Sequence, residues 1–216
     1  MSNETNPTDA LKPQVVLASA SPRRKQLLEE AGVAVRVLVP SEPVDESLEA
    51  GELMIPAEAA KKLAEKKAGA AVQALLATGE AGMFAVIGAD TMVVKDAEVF
   101  GKPRNLEDAK RMLRELSGCT HQVITGVSLW MLLVGEGDEV SLGYRTFADA
   151  SAVTFKELTD DQIVEYLRKG ESFDKAGAYA IQGEGRDLVE RFEGALDTII
   201  GLPVERLLTE YPELRS

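Results

Sequence analysis

The sequence predicts an α/β fold built on a mixed β-sheet. Three observations predict it. Apolar runs of strand length alternate with helical patterns along the chain, the arrangement that packs helices against a sheet. The helical patterns carry start and stop signals at their ends. No internal repeat and no low-complexity linker breaks the alternation, so the 216 residues read as one large domain or two lobes sharing a core.

Val15 to Ala18 form a buried strand that turns through small residues into a helix. Ser21 is placed as its N-cap, Pro22 suits the first helical position, and Gly32 suits the stop. Leu27, Leu28 and Ala31 supply the apolar stripe. Residues 33 to 39, "VAVRVLV", form the next strand, and a polar loop with Asp45 and Glu46 follows. Pro56 opens a helix over about 57 to 77, stopping near Gly79. Residues 84 to 94, "FAVIGADTMVV", read as a buried strand, and "KDAEVFGKP" as a turn. Asn105 caps a helix over 106 to 117, with Glu107 and Asp108 in the first turn, where the helix dipole favours acids. Two strand-like runs, "HQVITGVSLWMLLV" and "YRTFADASAVTF", flank a hairpin loop at "GEGDEVSLG". Thr159 and Gln162 make a capping-box pattern for a helix over 160 to 169. A glycine-rich stretch, "SFDKAGAYAIQGEGRDLVERFEG", leads to a short last strand at 197 to 200 and a final helix from Pro203.

Composition narrows the function classes. The net charge is −12, from 36 acidic and 24 basic side chains. Duplex nucleic acid and anionic membrane select basic surfaces, so neither is an expected partner. One cysteine, Cys119, and one histidine, His121, exclude a disulfide framework and a Cys/His zinc site; both residues read as structural. No run of 18 apolar residues is present, so no transmembrane helix is expected. Residues 1 to 12 are polar, lack a signal-peptide core, and read as a flexible tail on a cytoplasmic protein.

Four segments carry charge where folding alone does not ask for it. Arg23 and Arg24 of "SPRR" fall in the first turn of a helix, the positive end of its dipole, at a cost of about 0.3–1 kcal/mol per charge. Something negative is expected to offset them. Asp90 interrupts an apolar strand; either the strand ends early in a turn after Gly88, or the carboxylate is paired or bound to a metal. Lys67 falls in the middle of a helical face otherwise made of Ala60, Ala64, Ala71, Ala74, Leu63 and Leu75. Two readings stand there: snorkelling to the surface, or reaching an anion in a cleft. In "DKAGAYAIQG", Gly177 and Gly183 permit tight turns that aim Asp174, Lys175 and Gln182 at a ligand. Lys102 of "FGKP" adds a weaker signal. Cations around phosphates and carboxylates around a hard divalent metal suit nucleoside polyphosphate chemistry. No Walker pattern and no GxGxxG is present.

The ordered set "LASASPRR", "VDE", "LAEKKA", "GADT", "GKPRN", "SGCTHQV", "DKAGAYAIQG" and "GLP" resembles the Maf family over residues 15 to 209. The resemblance implies a two-lobed α/β fold with an extended mixed sheet flanked by helices and a central cleft, similar to the inosine triphosphatases. Residues 13 to 216 then form a single catalytic domain. It also implies hydrolysis of nucleoside triphosphates to the monophosphate and pyrophosphate, a divalent cation (Mg²⁺ or Mn²⁺), and a homodimer. Asp90 of "GADT" matches the family's proton acceptor. Arg23, Thr91 and Gln182 match the dTTP/UTP branch rather than the 7-methyl-GTP branch. Gly194-Ala195 departs from a common Gly-Ser. The expected site therefore has Asp90, Lys67 and Glu46 as catalytic groups, with Glu46 and Asp90 holding the metal. Arg23, Arg24, Ser21, Thr91, Lys102, Lys175 and Gln182 bind substrate, Gln182 and Thr91 at the pyrimidine edge. Another nucleotide specificity, or a non-catalytic nucleotide-binding regulator of cell division, are the competing readings.

Overall fold

A computed structural model describes residues 12–48, 51, 54–135, 137 and 139–215. The tail expected over residues 1 to 12 lies outside them apart from Lys12. The chain forms β1 (Gln14–Leu17), α1 (Pro22–Glu30), β2 (Val35–Val37), α2 (Pro56–Leu76), β3 (Gly82–Lys95) and β4 (Glu98–Phe100). It continues through α3 (Leu106–Leu116), β5 (Thr120–Val134), β6 (Val140–Phe155), α4 (Asp160–Arg168), β7 (Val189–Glu193), α5 (Leu196–Ile200) and α6 (Val204–Glu210). The strands make one sheet in the order β2-β1-β3-β5-β6-β7, with β4 paired to β3. β1 runs parallel to β2 and β3, and the other pairings are antiparallel. The expected mixed α/β class is therefore what the chain adopts.

Alternation along β3 sorts its side chains onto two faces. Phe84 and Val86 pack against Ala71, Val72 and Leu75 of α2. Ala85, Ile87 and Ala89 face Leu28 of α1 and Leu202, Val204 and Leu207 near the C-terminus. A further apolar cluster joins Val93, Val123 and Phe155 of the long strands to Leu113, Leu116 and Ile163 of α3 and α4.

Small residues let α2 lie close on the sheet. A Cβ on Gly88 would stand 2.3 Å from the Ala64 carbonyl oxygen, and one on Gly126 2.3 Å from the Ala60 carbonyl carbon. Gly88 and Gly126 thus let the α2 backbone lie directly on the strands, which no larger residue permits.

The capping signals are largely realised. Asn105 accepts from the Asp108 backbone N–H at 2.9 Å, and Thr159 with Gln162 closes a capping box. Ser21 occupies the N-cap position of α1 but makes no side-chain cap bond. Four expectations are corrected. Residues 197 to 200 lie in helix α5, not a strand. The β-branched Thr198, Ile199 and Ile200 suggest extension, but Gly201 at φ +125° and the Asp197 carbonyl, which accepts from the Gly201 N–H at 2.9 Å, close a helical turn instead. The last strand is β7, inside the stretch read as a glycine-rich loop. β6 begins at Val140, which pairs with Val134, so the hairpin loop is shorter than expected. The stretch read only as a turn after β3 contains β4, joined through Asp96 and Ala97 at φ +50° and +67°, the positive-φ pair of a tight hairpin.

Candidate active site

A cleft of ≈ 1250 Å³ opens where the C-terminal end of β1, the middle of β3 and the loop after α4 converge. All ten residues expected at the site line it: Ser21, Arg23, Arg24, Glu46, Lys67, Asp90, Thr91, Lys102, Lys175 and Gln182.

The floor is an ion triad. β3 continues through Asp90, whose Cα partner on β5 is Gly126; the strand does not end early. Asp90 shares the α2 face with Gly88, and the close approach of α2 delivers Lys67 to it. Lys67 Nζ stands 2.5 Å from Asp90 Oδ1 and 3.0 Å from Glu46 Oε1. Lys67 and Asp90 side chains are only 17% and 14% exposed, against 50% for Glu46. Lys67 does not snorkel; it holds two carboxylates together. Partial burial strengthens this attraction over a surface pair.

Thr91 takes the opposite face, toward α1. Arg24 fans its guanidinium across three acceptors: Nε to the Gly201 carbonyl at 2.7 Å, Nη1 to Ser19 Oγ at 3.1 Å, and Nη2 to Thr91 Oγ1 at 3.1 Å. Burial lowers the pKa of Arg24 from its ordinary value, and the nearby Asp90 charge opposes that. Arg23 is partly buried beside it. Desolvation lowers its pKa, while the Asp174 and Glu171 carboxylates pull the other way. The helix start therefore faces acids and carbonyl dipoles contributed by distant segments, since its own first turn holds none.

The third wall is the loop after α4. Lys175 donates a hydrogen bond to Asp174. The Gly177 N–H bonds the Gly101 carbonyl at 3.0 Å, fastening the Lys175 loop to the loop that carries Lys102. Gly177 sits at φ +66° with Val93 3.1 Å from where a Cβ would be, so glycine is required there. Lys102 and Gln182 are exposed at the rim.

Sequence reasoning missed Ser19 and Glu171. Ser19 Oγ receives both Arg24 and the Ser21 backbone N–H, the latter at 3.2 Å. Glu171 lines the cleft beside Gly183, where a Cβ would meet its carboxylate at 3.1 Å. No local pattern marks either residue. His121 stays out of the cleft: it is 2% exposed, its Nε2 is 2.7 Å from the Tyr179 hydroxyl, and burial pushes its pKa down to about 4. At Gly194-Ala195, Ser151 Oγ receives the Ala195 N–H at 2.9 Å and donates to the Ala195 carbonyl at 3.0 Å, so that turn is held from β6.

Among the described residues, no three His, Cys, Asp or Glu side chains cluster closely enough to hold a metal ion by themselves. Glu46 and Asp90, both already on one cation, bring two hard oxygen donors together, the donor type a divalent ion would take.

Comparison with known proteins gives the family. The profile of the Maf family, described as Maf-like protein, matches residues 14–213. A dTTP/UTP pyrophosphatase of Citrifermentans bemidjiense is 43% identical over 190 residues, 88% of this chain and 90% of that protein. One from Desulfitobacterium hafniense is 45% identical over 192 residues, 88% and 81% of the two chains. One from Bacillus thuringiensis subsp. konkukian is 39% identical over 197 residues, 91% and 93%. Among solved structures, a nucleoside-triphosphatase / dITP/XTP pyrophosphatase of Mycobacterium abscessus aligns over 93% of this chain and 94% of its own at 15% identity and TM-score 0.35, too weak a likeness to carry an argument. With the profile match spanning nearly the whole chain, and relatives at 39–45% identity, this chain belongs to the Maf family.

Proposed function

We propose that the protein hydrolyses nucleoside triphosphates, dTTP and UTP foremost, to the nucleoside monophosphate and pyrophosphate. The observation that carries this reading is the Lys67 bridge between Asp90 and Glu46 on the floor of a cleft walled by arginines and lysines. The names of the relatives support the substrate class.

Arg24 and the start of α1, with the uncommitted Ser21 hydroxyl, receive phosphate oxygens. Arg23, Lys102 and Lys175 neutralise the rest of the polyphosphate from the walls. Asp90 orients a water toward the α-phosphorus and accepts its proton. The bond from that phosphorus to the bridging oxygen breaks, and pyrophosphate leaves with the electron pair. Lys67 holds Asp90 and Glu46 in place for this. Glu46 and Asp90 would hold Mg²⁺ or Mn²⁺, which supplies charge stabilisation to phosphate oxygens. Gln182 offers both a donor and an acceptor to a pyrimidine edge, and Thr91 lines the same cleft. The protein acts as a cytoplasmic homodimer in this reading; among the described residues no helix is long and apolar enough to cross a membrane.

The test is pyrophosphate release from a panel of nucleoside triphosphates with Mg²⁺ or Mn²⁺, read beside free phosphate, for wild type and Asp90→Asn. Pyrophosphate from dTTP and UTP, lost in a folded Asp90→Asn that still binds nucleotide, is the expected result. Near-normal turnover by Asp90→Asn sinks the mechanism. Pyrophosphate only from purine nucleotides overturns the specificity. Binding by wild type without hydrolysis of any nucleotide leaves a regulator instead.

A further inference from the structure

Thr91, Thr125 and Asp149 form one row across three neighbouring strands: Thr91 is the register partner of Thr125, and Thr125 of Asp149. Helix α5 bonds to that row through Thr198. Its carbonyl accepts from Thr125 Oγ1 at 2.8 Å, and its hydroxyl donates to Asp149 Oδ2 at 2.5 Å. Thr125 and Thr198 are both fully buried.

The hydroxyls leave no freedom in direction. Each threonine has one O–H proton, a carbonyl only accepts, and a guanidinium only donates. Thr125 spends its proton on the Thr198 carbonyl. The 2.9 Å contact between Thr91 and Thr125 therefore has Thr91 as donor. With its proton committed inward, Thr91 presents lone pairs to the cleft, and Arg24 Nη2 donates to it at 3.1 Å. The chain runs one way, from Arg24 through Thr91 and Thr125 to Thr198 of α5. The next residue but two along that helix end, Gly201, accepts Arg24 Nε directly. Gly201 sits at φ +125°, and a Cβ there would stand 3.2 Å from Thr91 Oγ1 and 3.4 Å from Arg24 Nε. Backbone and side chains at this point converge on one guanidinium.

We propose that Thr125 is a positioning residue: by fixing Thr91 as an acceptor it sets the orientation of Arg24, and so governs how the cleft grips phosphates. The inference rests on the assignment of Arg24 to the polyphosphate. It differs from a purely structural role for a buried threonine, which would be read in stability alone.

The experiment compares Thr125→Val, which keeps the shape and removes the hydroxyl, with Thr125→Ser, which keeps the hydroxyl. Inorganic pyrophosphate is the probe, titrated by calorimetry, because it carries no base. The side-chain Nε–Hε resonance of Arg24, assigned by its loss in Arg24→Lys, reports the guanidinium without any ligand. Thr125→Val is expected to weaken pyrophosphate binding about ten- to a hundredfold, the range for a hydrogen bond to a charged group, and to shift the Arg24 resonance. Thr125→Ser is expected to restore both. Unchanged binding and an unmoved resonance in Thr125→Val overturn the proposal, as does a Thr125→Ser that fails like Val. Should Thr125→Val not fold, Thr125→Ala carries the same readouts. If wild type releases no pyrophosphate from any nucleotide, the functional reading falls, while the resonance still decides the relay.

Discussion

Gly126→Ala tests whether the helix-on-sheet contact sets the site. The added Cβ would stand 2.3 Å from the Ala60 carbonyl carbon, 2.4 Å from its oxygen and 2.5 Å from the Lys61 nitrogen. These are backbone atoms and cannot rotate away. Restoring ordinary contact requires α2 to retreat by about 1 Å, and overpacking of this kind costs about 1–3 kcal/mol. Removing a glycine from the unfolded ensemble returns only about 0.4–1 kcal/mol. Lys67 lies seven residues beyond Ala60, about 10 Å along the same helix, so it moves with the displaced segment. Its 2.5 Å contact with Asp90 then lengthens, and an error of 1 Å in a positioned group can cost about a hundredfold in rate. Denaturant unfolding and pyrophosphate release from dTTP measure the two consequences. Gly143→Ala on β6 is the control, since nothing lies within 4 Å of its new Cβ. The reasoning fails if Gly126→Ala matches wild type in stability and turnover, if it loses stability but not turnover, or if Gly143→Ala is equally damaging.

His121 supplies a pH signature of folding. Its folded pKa is about 4 because burial disfavours the charged ring, against about 6.5 when unfolded. The unfolded chain therefore binds the extra proton first. The stabilisation is fully present above pH 6.5 and is lost as pH falls toward 4, by up to roughly 3 kcal/mol. Denaturant midpoints at pH 7.5 and 4.5 should diverge less in His121→Phe than in wild type; an equal fall in both refutes the assignment. Gln182→Glu leaves the fold intact, because the side chain is exposed and its backbone only precedes the 3₁₀ turn Gly183–Leu188. It should lower dTTP and UTP rates relative to other nucleotides, and unchanged relative rates would remove Gln182 from base selection.

What the sequence revealed, and what it hid, follows from the range of the interactions. Lys67 on an alanine face and Asp90 in an apolar strand are legible because each breaks a local periodicity, and the structure joins them across 23 residues. Glycines 88 and 126 carry the approach that joins them, but a glycine in a strand looks the same whether it faces a helix or solvent. Thr125 and Ser19 were hidden for a different reason. A threonine in a strand and a serine before a helix are ordinary locally; the partner of Thr125 lies 73 residues away, and Ser19, though its partners Ser21 and Arg24 are near in sequence, carries no pattern that distinguishes it from any serine at a helix start. The misread of 197 to 200 has the opposite cause: β-branched propensity spoke for a strand, and the Asp197 and Gly201 backbone overruled it.

The two arginines at the start of α1 resolve by the same logic. A cation in the first turn is unfavourable only if the surroundings leave it uncompensated. Arg24 is compensated by the Gly201 carbonyl and two hydroxyls, all neutral, so its net charge is undiminished and its direction is fixed. Arg23 is compensated electrostatically by the carboxylates of Asp174 and Glu171 on the opposing loop, charges that an incoming anion also meets. The floor is the reverse: two carboxylates share one lysine, leaving an excess negative charge below walls that carry Arg24, Lys102 and Lys175 as well as Glu171 and Asp174. A polyphosphate alone satisfies the wall and is repelled by the floor; a divalent ion alone suits the floor and is repelled by the wall. If the proposed reaction holds, a divalent ion on the floor and a polyphosphate above it each offset charge that opposes the other, so nucleotide and metal should bind with positive coupling, each tightening the other by the same factor.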